Sequence, residues 1–306
     1  MLLSGLAAGS VLSVVSLGMS LVLGLTRSLP FAHGDVVVAA SGASVLLVIG
    51  STPIAGGPAL GRSFLVVAGA LGIAGAMSLA TYAIGVRPYL RADGARPDPV
   101  RAIAAALGLA VLLRAAVAQM FAHPPTVIPD ALHVASLTGS GVLHLGHGVT
   151  VPSRSIGVIL LGTTVALLAE RALVGGRFGR EVRAVSDTPS LAALSAIDGQ
   201  RTVARAFAIA GLLAGFGGLL GLPAAPGISA DDGIALGIGA AAATWIAGAG
   251  QLRRAVVAGL GIGVAEAAIA QLADPGPRLS VLVPAAILVG ALLARPLAAR
   301  WRLATP

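Results

Sequence analysis

Apolar runs of about twenty residues recur along nearly the whole chain, and each is long enough to cross a hydrocarbon core of about 30 Å as an α-helix. With 57% apolar and 10% charged residues, the chain has too little polar surface for a water-soluble globule. The runs lie at residues 2–25, 64–86, 102–121, 156–173, 206–222, 234–250, 255–272 and 279–294. The sequence therefore predicts an all-α, polytopic transmembrane bundle of about eight or nine spans. We expect the chain to form a single integral-membrane domain over residues 1–306.

Residues 27–50 interrupt this pattern. Pro30, His33, Gly34 and Asp35 fall between two apolar runs, and the second of these runs is short for a full span. One interpretation is a tight loop between two helices. The other is a broken or re-entrant helix at membrane depth, of the kind that lines transport pathways. The residues alone leave both open.

The basic residues are all arginines, 20 in number, and the chain contains neither lysine nor cysteine. The missing lysine excludes a Walker A site and Schiff-base chemistry, and the missing cysteine excludes disulfides and thiolate metal sites. The formal net charge is +8, but aromatic residues make up only 3% and the arginines cluster in short loops. We expect no nucleic-acid partner. His144 and His147 are too weak a pattern for a metal site, so no cofactor, metal ion or catalytic residue is predicted.

The arginines are distributed unevenly between the two sides of the membrane. If the spans alternate, 15 of them fall on one side, in loops 87–101, 171–205 and 253–254 and in the tail 295–306. Three fall on the other side, and Arg27 and Arg114 are assigned to neither. The positive-inside rule puts the side with 15 arginines, and with it the C-terminus, in the cytoplasm. The N-terminus lies outside if residues 27–50 make one complete crossing, and inside if they are re-entrant.

The polar stretch from Gly176 to Arg205 contains the pattern of one short helix. Thr188 suits its N-cap, Pro189 its first turn and Gly199 its end. Its apolar positions recur every three residues, at Leu191, Leu194 and Ile197. We expect a helix that docks on a cytoplasmic partner; the alternative is a basic loop without such a role.

Two charged residues lie inside apolar runs. Arg114 must face protein or reach an interface, because an arginine at a helix centre costs about 2.5–3.5 kcal/mol on insertion scales. Glu266 is a transport candidate on the same grounds, or an acid near the interface that pairs with an arginine. The pair Asp231 and Asp232 is expected in a loop, either solvated or in contact with an external binding protein. Residues 123–155 alternate as strands or an interfacial hairpin do.

Three stretches, in this order, resemble the permeases of branched-chain amino acid ABC importers of the LivH type. They are LGMSLVLGLTRSLPFAHGD, AIGVRPYLRADGARPDPVRAIAAALGLAVLL and GRFGREVRAVSDTPSLAALSAIDGQRTVARAFAIAGLLAGFGGLL. They are similar to that family's FAHG signature, to its basic YRPLR loop with the following span, and to its cytoplasmic coupling loop and helix. Weaker similarity continues through GIGVAEA, so the resemblance covers nearly the whole chain.

The resemblance implies two groups of site residues. Phe31, His33 and Gly34 match the FAHG signature and Asp35 stands where the family has glutamate; with Glu266, they are candidates for the translocation path. The coupling loop, about residues 174–205, is implied to dock into a groove of an ATPase subunit. The implied coupling-helix residues are Asp187, Pro189, Leu191, Leu194 and Ile197.

By this resemblance the chain is the permease subunit of a binding-protein-dependent importer for branched-chain or related amino acids, in the bacterial plasma (inner) membrane. The implied partners are two ATP-binding cassette subunits that hydrolyse ATP, a second permease subunit, an extracytoplasmic solute-binding protein and the lipid bilayer. The residues themselves leave two alternatives open. One is an ion-coupled secondary transporter with Glu266 as the coupling acid. The other is an intramembrane enzyme, for which only His33, Asp35 and Glu266 qualify.

Overall fold

The structure, a computed structural model, describes residues 2–50, 59–90, 98–120, 142–144, 150–221, 230–272 and 282–293. The helices are α1 (Leu2–Thr26), α2 (His33–Gly50), α3 (Ala59–Gly85), α4 (Pro99–Met120), α5 (Ser153–Gly175), α6 (Arg177–Asp187), α7 (Pro189–Leu194), α8 (Gly199–Gly221), α9 (Ala230–Ala247), α10 (Leu252–Leu272) and α11 (Leu282–Leu293). A 3₁₀ turn spans Arg87–Tyr89, and strand β1 (Val142–His144) pairs antiparallel with β2 (Thr150–Pro152).

Five of the described helices are long and apolar enough to cross a membrane. Their spans are Leu2–Thr26, Ser63–Tyr89, Val100–Gln119, Ser153–Gly175 and Gly199–Gly221. The all-α membrane fold is confirmed, and the total of about eight or nine spans stays a prediction. The hairpin predicted within residues 123–155 is confirmed in β1 and β2; residues 123–141 and 145–149 lie outside the described residues.

Helix α1 is the centre of the bundle. It packs against α5, α8, α9 and α10, and its residues are buried from Gly9 to Thr26. Glycines make this close packing possible, since a Cβ added at Gly9 would lie 2.7 Å from the carbonyl oxygen of Leu260, and one at Gly5 would lie 2.9 Å from Ala267 Cβ. Small residues at such a crossing let the backbones of two membrane helices approach closely.

Buried serines on α1 add hydrogen bonds to this packing. Ser13 Oγ donates to the Val256 carbonyl at 2.7 Å, and Ser16 Oγ lies 3.1 Å from the Ala255 carbonyl. Bonds of this kind between membrane helices contribute roughly 0.6–2 kcal/mol each. Our sequence analysis did not identify them, although the spacing of the serines along an apolar helix is visible in the sequence.

The glycines of α8 allow close packing against three different helices. A Cβ at Gly211 or Gly215 would meet the backbone of α3, and one at Gly218 would overlap Ser41 Oγ on α2. At Gly221 the nearest atom is Val11 Cγ1 of α1, at 3.0 Å. Helix α8 therefore fixes α1, α2 and α3 relative to one another.

The arginine-rich segments that the structure describes, at residues 87–90, 98–101, 171–205 and 253–254, lie together at one end of the bundle, called the basic end below. Tyr82 Oη, near the end of α3, donates to the Gln200 carbonyl at the start of α8, at 3.2 Å. Ser186 Oγ of α6 donates to the Gly24 carbonyl of α1, at 2.8 Å. A Cβ added at Gly24 would lie 2.7 Å from Gly250 Cα, just before α10. The end of α1 belongs to the same end of the bundle.

Residues 27–50 make one complete crossing. Helix α3 runs antiparallel to α8, because Ala70 faces Gly215 while Tyr82 faces Gln200. Consequently α3 starts away from the basic end and finishes at it, as α1 also does. Residues 27–50 run once from the basic end toward the opposite end, and the start of α1 lies opposite the basic end. This is the first of the two alternatives for the N-terminus.

Several helices begin earlier than the apolar runs indicate. Helix α8 starts at Gly199 rather than at residue 206, and α3 at Ala59 rather than at 64, because polar first turns carry no hydropathy signal. Asp231 and Asp232 lie in the first turn of α9, so the loop predicted for them is wrong. Carboxylates there are stabilised by the positive end of the helix dipole.

Candidate functional site

Helix α2 begins in the interior of the bundle. Helix α1 ends at Thr26, where Arg27 adopts a left-handed conformation (φ 56°), and α2 starts at His33. His33 is buried, and its Nε2 lies 3.3 Å from the carbonyl oxygen of Val15. Val15 precedes the end of α1 by three turns, about 16 Å at 1.5 Å per residue. The structure therefore contains a break at membrane depth rather than a tight loop at the surface.

Hydrogen bonds between neighbouring residues satisfy polar groups of the irregular backbone at this break. Thr26 Oγ1 donates to the Val22 carbonyl at 2.9 Å, and it accepts the backbone N–H of Ser28 at 3.4 Å. The backbone N–H of His33 donates to the Pro30 carbonyl at 2.9 Å. Non-helical backbone is stable at this depth only where protein covers it, and neighbouring helices do so here.

Gly34 sits where α2 crosses α9 with backbone against backbone. A Cβ added at Gly34 would overlap the Gly233 carbonyl oxygen and lie 2.6 Å from the backbone nitrogen of Gly237. No rotamer could relieve these contacts, because every atom involved is main chain. The glycine therefore allows α2 to start at this place in the core.

Asp35, in the first turn of α2, forms an ion pair with Arg114 of α4. Arg114 Nη2 lies 3.9 Å from Asp35 Oδ1, and the side chains are 40% and 6% exposed respectively. The sequence required that Arg114 face protein or an interface, and it faces a buried carboxylate. Helix α4 thereby contacts the break, although 79 residues of chain separate the two partners.

The structure brings His33, Gly34 and Asp35 together, whereas Phe31 is 41% exposed. Glu266 is not part of this group. It lies half-buried on α10, with Oε1 3.6 Å from a Cβ added at Gly239 of α9. Within the described residues, no arginine lies within ion-pair distance of Glu266, and the pairing considered from the sequence is not observed there.

At the basic end, α6 is a helix that our sequence analysis did not predict. Phe178, Val182 and Val185 point into the bundle at positions i, i+4 and i+7, while its arginines are exposed. This spacing is a helical signal that was available in the sequence. The arginines on the outer face are Arg177, Arg180 and Arg183.

Helix α6 is held firmly against α1 and α5. A Cβ at Gly179 would overlap the Leu173 carbonyl oxygen, so only glycine permits the tight corner between α5 and α6. Arg183 Nη1 donates to the Val174 carbonyl at 2.8 Å, and Ser186 Oγ bonds to α1 at Gly24. A displacement of α6 is therefore passed on to both helices.

Helix α7 spans Pro189–Leu194, shorter than predicted. Thr188 occupies the N-cap position in a non-helical conformation (φ −140°, ψ 84°) without a side-chain cap bond, and Pro189 follows at the first position. The prediction that Gly199 ends this helix is wrong, since Gly199 is the first residue of α8. The left-handed residue that ends α7 is Ala196, with φ 58°.

The end of α7 has the hydrogen bonds of a Schellman motif. The Ile197 N–H donates to the Ala192 carbonyl at 3.0 Å, and the Ala196 N–H to the Ala193 carbonyl at 3.1 Å. The left-handed position of this motif is normally glycine, because a Cβ there crowds the carbonyl. In this chain the motif forms with alanine.

The apolar stripe predicted on α7 is split between two faces. Leu191 and Leu194 are 57% and 84% exposed, whereas Ile197 packs against the core. Pro189 and Ala192 are buried and seat the helix on the bundle. The two leucines therefore form an unpaired apolar knob at the basic end.

Charges surround this knob. Asp198 Oδ1 accepts the backbone N–H of Arg201 at 3.1 Å, which makes Asp198 the N-cap of α8. Glu181 pairs with Arg177 and Arg205, both at 3.5 Å. Asp187, between α6 and α7, is exposed. Across residues 177–205, arginines outnumber acidic residues five to three, so the surface around the knob carries a net positive charge.

We expect Ala196→Gly to stabilise α7, because glycine removes a left-handed penalty of about 1 kcal/mol. Amide hydrogen exchange in α7 should slow by roughly fivefold. Ala193→Gly, an exposed change inside the same helix, should speed it, because glycine is disfavoured in a helix interior. Unchanged or faster exchange in Ala196→Gly would contradict the left-handed assignment.

The chain is similar in sequence to known proteins along most of its length. The family model described as the permease component of branched-chain amino acid transport systems matches residues 1–292. Over 306 residues the chain is 27% identical to the high-affinity branched-chain amino acid transport system permease protein BraD of Pseudomonas aeruginosa, covering 96% of this chain and 93% of that protein.

Two further relatives are named as LivH permease proteins of the same kind of transport system. The chain is 26% identical over 265 residues to that of Salmonella typhimurium, covering 86% of this chain and 83% of the relative. It is 25% identical over 269 residues to that of Escherichia coli K12, with the same coverage of 86% and 83%. No solved structure matches the chain significantly.

Proposed function

We propose that this chain, which belongs to the family of permease components of branched-chain amino acid transport systems, is coupled to ATP hydrolysis through α7. In this proposal Leu191 and Leu194 insert into a groove of a separate ATP-binding subunit. The observation that carries it is their exposure, 57% and 84%, on a short helix seated at the basic end.

The energetics favour a protein partner for this knob. Fully burying a leucine contributes about 1.5–3 kcal/mol relative to leaving it exposed. An amphipathic helix that lays apolar residues into a groove is a common mode of recognition. The surrounding arginines add complementarity to an acidic groove rim and lie on the side that the positive-inside rule assigns to the cytoplasm.

Coupling follows from how α6 and α7 are attached. Closure of the ATP-binding subunits would push on α7, and α6 passes this push to α1 through Ser186 and to α5 through Gly179. Helix α1 contacts the start of α2 through Val15 and His33. A rigid-body shift at the basic end thus reaches the break in α2, where Phe31, His33, Gly34 and Asp35 are the proposed translocation-path residues.

The remaining parts of the proposal follow from family membership. The chain works in the bacterial inner membrane with its C-terminus in the cytoplasm. Two ATP-binding subunits, a second permease subunit and an external solute-binding protein complete the transporter. Hydrolysis takes place in the ATP-binding subunits, since this chain has no lysine for a Walker A site.

The double change Leu191→Asp with Leu194→Asp should detach the ATP-binding subunits. Two carboxylates in an apolar groove replace two buried leucines, so we expect the co-purified ATP-binding subunit to fall at least tenfold, with roughly 1.4 kcal/mol needed for each factor of ten. Affinity purification of this chain from membranes containing all subunits, followed by quantitative blotting, measures the loss.

Ser190→Asp with Ser195→Asp is the matched control, because it adds the same two charges at exposed positions and keeps both leucines. It should retain the subunit. Full retention in the leucine variant would overturn the coupling role. Solute uptake that persists without ATP-binding subunits but is lost in Glu266→Gln would instead favour an ion-coupled transporter, since Glu266 is a half-buried acid with no ion pair among the described residues.

A further inference from the structure

Arg114 has hydrogen-bond donors that the described residues do not use. Its Nε is buried and has no partner among them. Nη2 lies 3.9 Å from Asp35 Oδ1, which is close enough for an ion pair but too long for a hydrogen bond. A guanidinium carries five N–H donors, and buried donors in proteins are nearly always paired. Among the described residues, this guanidinium therefore has donors that no acceptor satisfies.

The pair is open on the arginine side and closed on the aspartate side. The Arg114 side chain is 40% exposed, whereas that of Asp35 is 6% exposed. Behind Asp35 lies the backbone of α9, since a Cβ added at Gly233 would be 2.8 Å from Asp35 Oδ1. Within the part of the chain that the structure describes, the accessible side of the pair is the guanidinium side.

The pair lies in the half of the bundle away from the basic end. Helix α4 starts at the basic end, where the Asp98 N–H donates to the Tyr89 carbonyl at 2.8 Å. Arg114 follows about four turns later, roughly 24 Å along the helix. Asp35 is in the first turn of α2, at the break. A solute arriving from the side opposite α7 would reach this pair before the basic end.

We propose that Arg114 and Asp35 form a binding site for the charged backbone of a zwitterionic α-amino acid, an inference that rests on the proposed transport function. The guanidinium binds the carboxylate of the solute through two parallel N–H bonds. Asp35 accepts a hydrogen bond from the ammonium group. All α-amino acids share these two charges, so the site recognises the backbone of the solute and does not distinguish between side chains.

The decisive variant is the double neutralisation Asp35→Asn with Arg114→Gln. If the pair served only to hold α2 against α4, the single changes would each leave one charged side chain without its partner, and the double change would restore uptake. A recognition site predicts the reverse, with leucine uptake reduced at least tenfold in both singles and in the double. Uptake is measured in vesicles containing the complete transporter, and Arg101→Gln, an exposed arginine at the start of α4, is the control.

Arg114→Lys gives a second readout, because lysine keeps the charge but cannot bind a carboxylate through a planar fork. It should raise the half-saturating leucine concentration more than it lowers the maximal rate. Uptake in the double variant at the rate of the unmodified transporter would overturn the proposal.

A labelling experiment on a chain that keeps both Arg114 and Asp35 tests the site even if these variants do not fold. The protein has no cysteine, so Ala118→Cys, an exposed change one turn beyond Arg114, introduces a unique thiol. Millimolar leucine should slow its labelling by a maleimide, and leucinamide, which lacks the carboxylate, should not. Equal labelling with both would overturn the site. Neither result depends on co-purification of the ATP-binding subunit, which tests the coupling role separately.

Discussion

Gly263→Val should prevent the bundle from forming. A Cβ at Gly263 would overlap the backbone nitrogen and Cα of Gly9 and lie 2.8 Å from the Gly5 carbonyl oxygen. Main-chain atoms cannot turn aside, so α10 would have to move away from α1. The bonds from Ser13 and Ser16 to α10, at 2.7 and 3.1 Å, would be lost with the contact. Overpacking usually costs about 1–3 kcal/mol, and this case should exceed that range.

Gly261→Val is the matched control for this prediction. It lies on the same helix, two residues away, and a Cβ there meets nothing within 4 Å among the described residues. Its elution profile in detergent and its thermal unfolding should equal those of the unmodified chain, whereas Gly263→Val should aggregate or unfold early. Equal behaviour of the two variants would show that α1 and α10 do not pack as closely as described.

Gly34→Ala should abolish solute uptake while leaving the ATP-binding subunit bound. A single methyl group at this position overlaps the Gly233 carbonyl oxygen and lies 2.6 Å from Gly237. The first turn of α2 must shift, and this shift separates Asp35 from Arg114 and His33 from Val15. Helices α6 and α7 are at the basic end and should keep their arrangement, so we expect normal co-purification together with at least a tenfold loss of uptake, about 1.4 kcal/mol or more in the transport barrier.

Gly237→Ala tests the same crossing from the other side. A Cβ there lies 3.4 Å from Gly34 Cα and 3.6 Å from its nitrogen, which is ordinary van der Waals contact. This variant should transport at nearly the normal rate. If Gly34→Ala also transported normally, the close crossing of α2 and α9 would not be needed for the path.

The membrane fold could be predicted because hydropathy reports directly on burial in lipid. The ends of the helices could not, because a polar first turn has the composition of a loop. Asp231 and Asp232 illustrate this, since they belong to the first turn of α9 and were assigned to a loop. Helix α6 was missed for a related reason. Its arginines dominate the composition and obscure the spacing of Phe178 and Val182.

The site was predictable only in its local parts. Pro189 and the leucines of α7 share one short segment, and the pattern of that segment indicates a helix. Whether Leu191 faces solvent or core depends on how α6 seats α7, which no local pattern records. The pairing of Asp35 with Arg114 joins two helices far apart in the sequence, and one sequence contains no signal for it.

The central position of α1 has a consequence for biosynthesis. Chains are made from the N-terminus, so α1 enters the bilayer long before α8 and α10, which enclose it, have been translated. Three of its serines do not need to wait for partners, because they also bond within α1: Ser13 Oγ to the Gly9 carbonyl at 2.8 Å, Ser10 Oγ to the Ala7 carbonyl at 2.8 Å and Ser16 Oγ to the Ser13 carbonyl at 3.1 Å. These hydroxyls are satisfied in the nascent helix, and its later burial exchanges lipid contacts for protein contacts. A chain that is truncated before residue 252 lacks α10, so its α1 faces lipid along the side that α10 would cover.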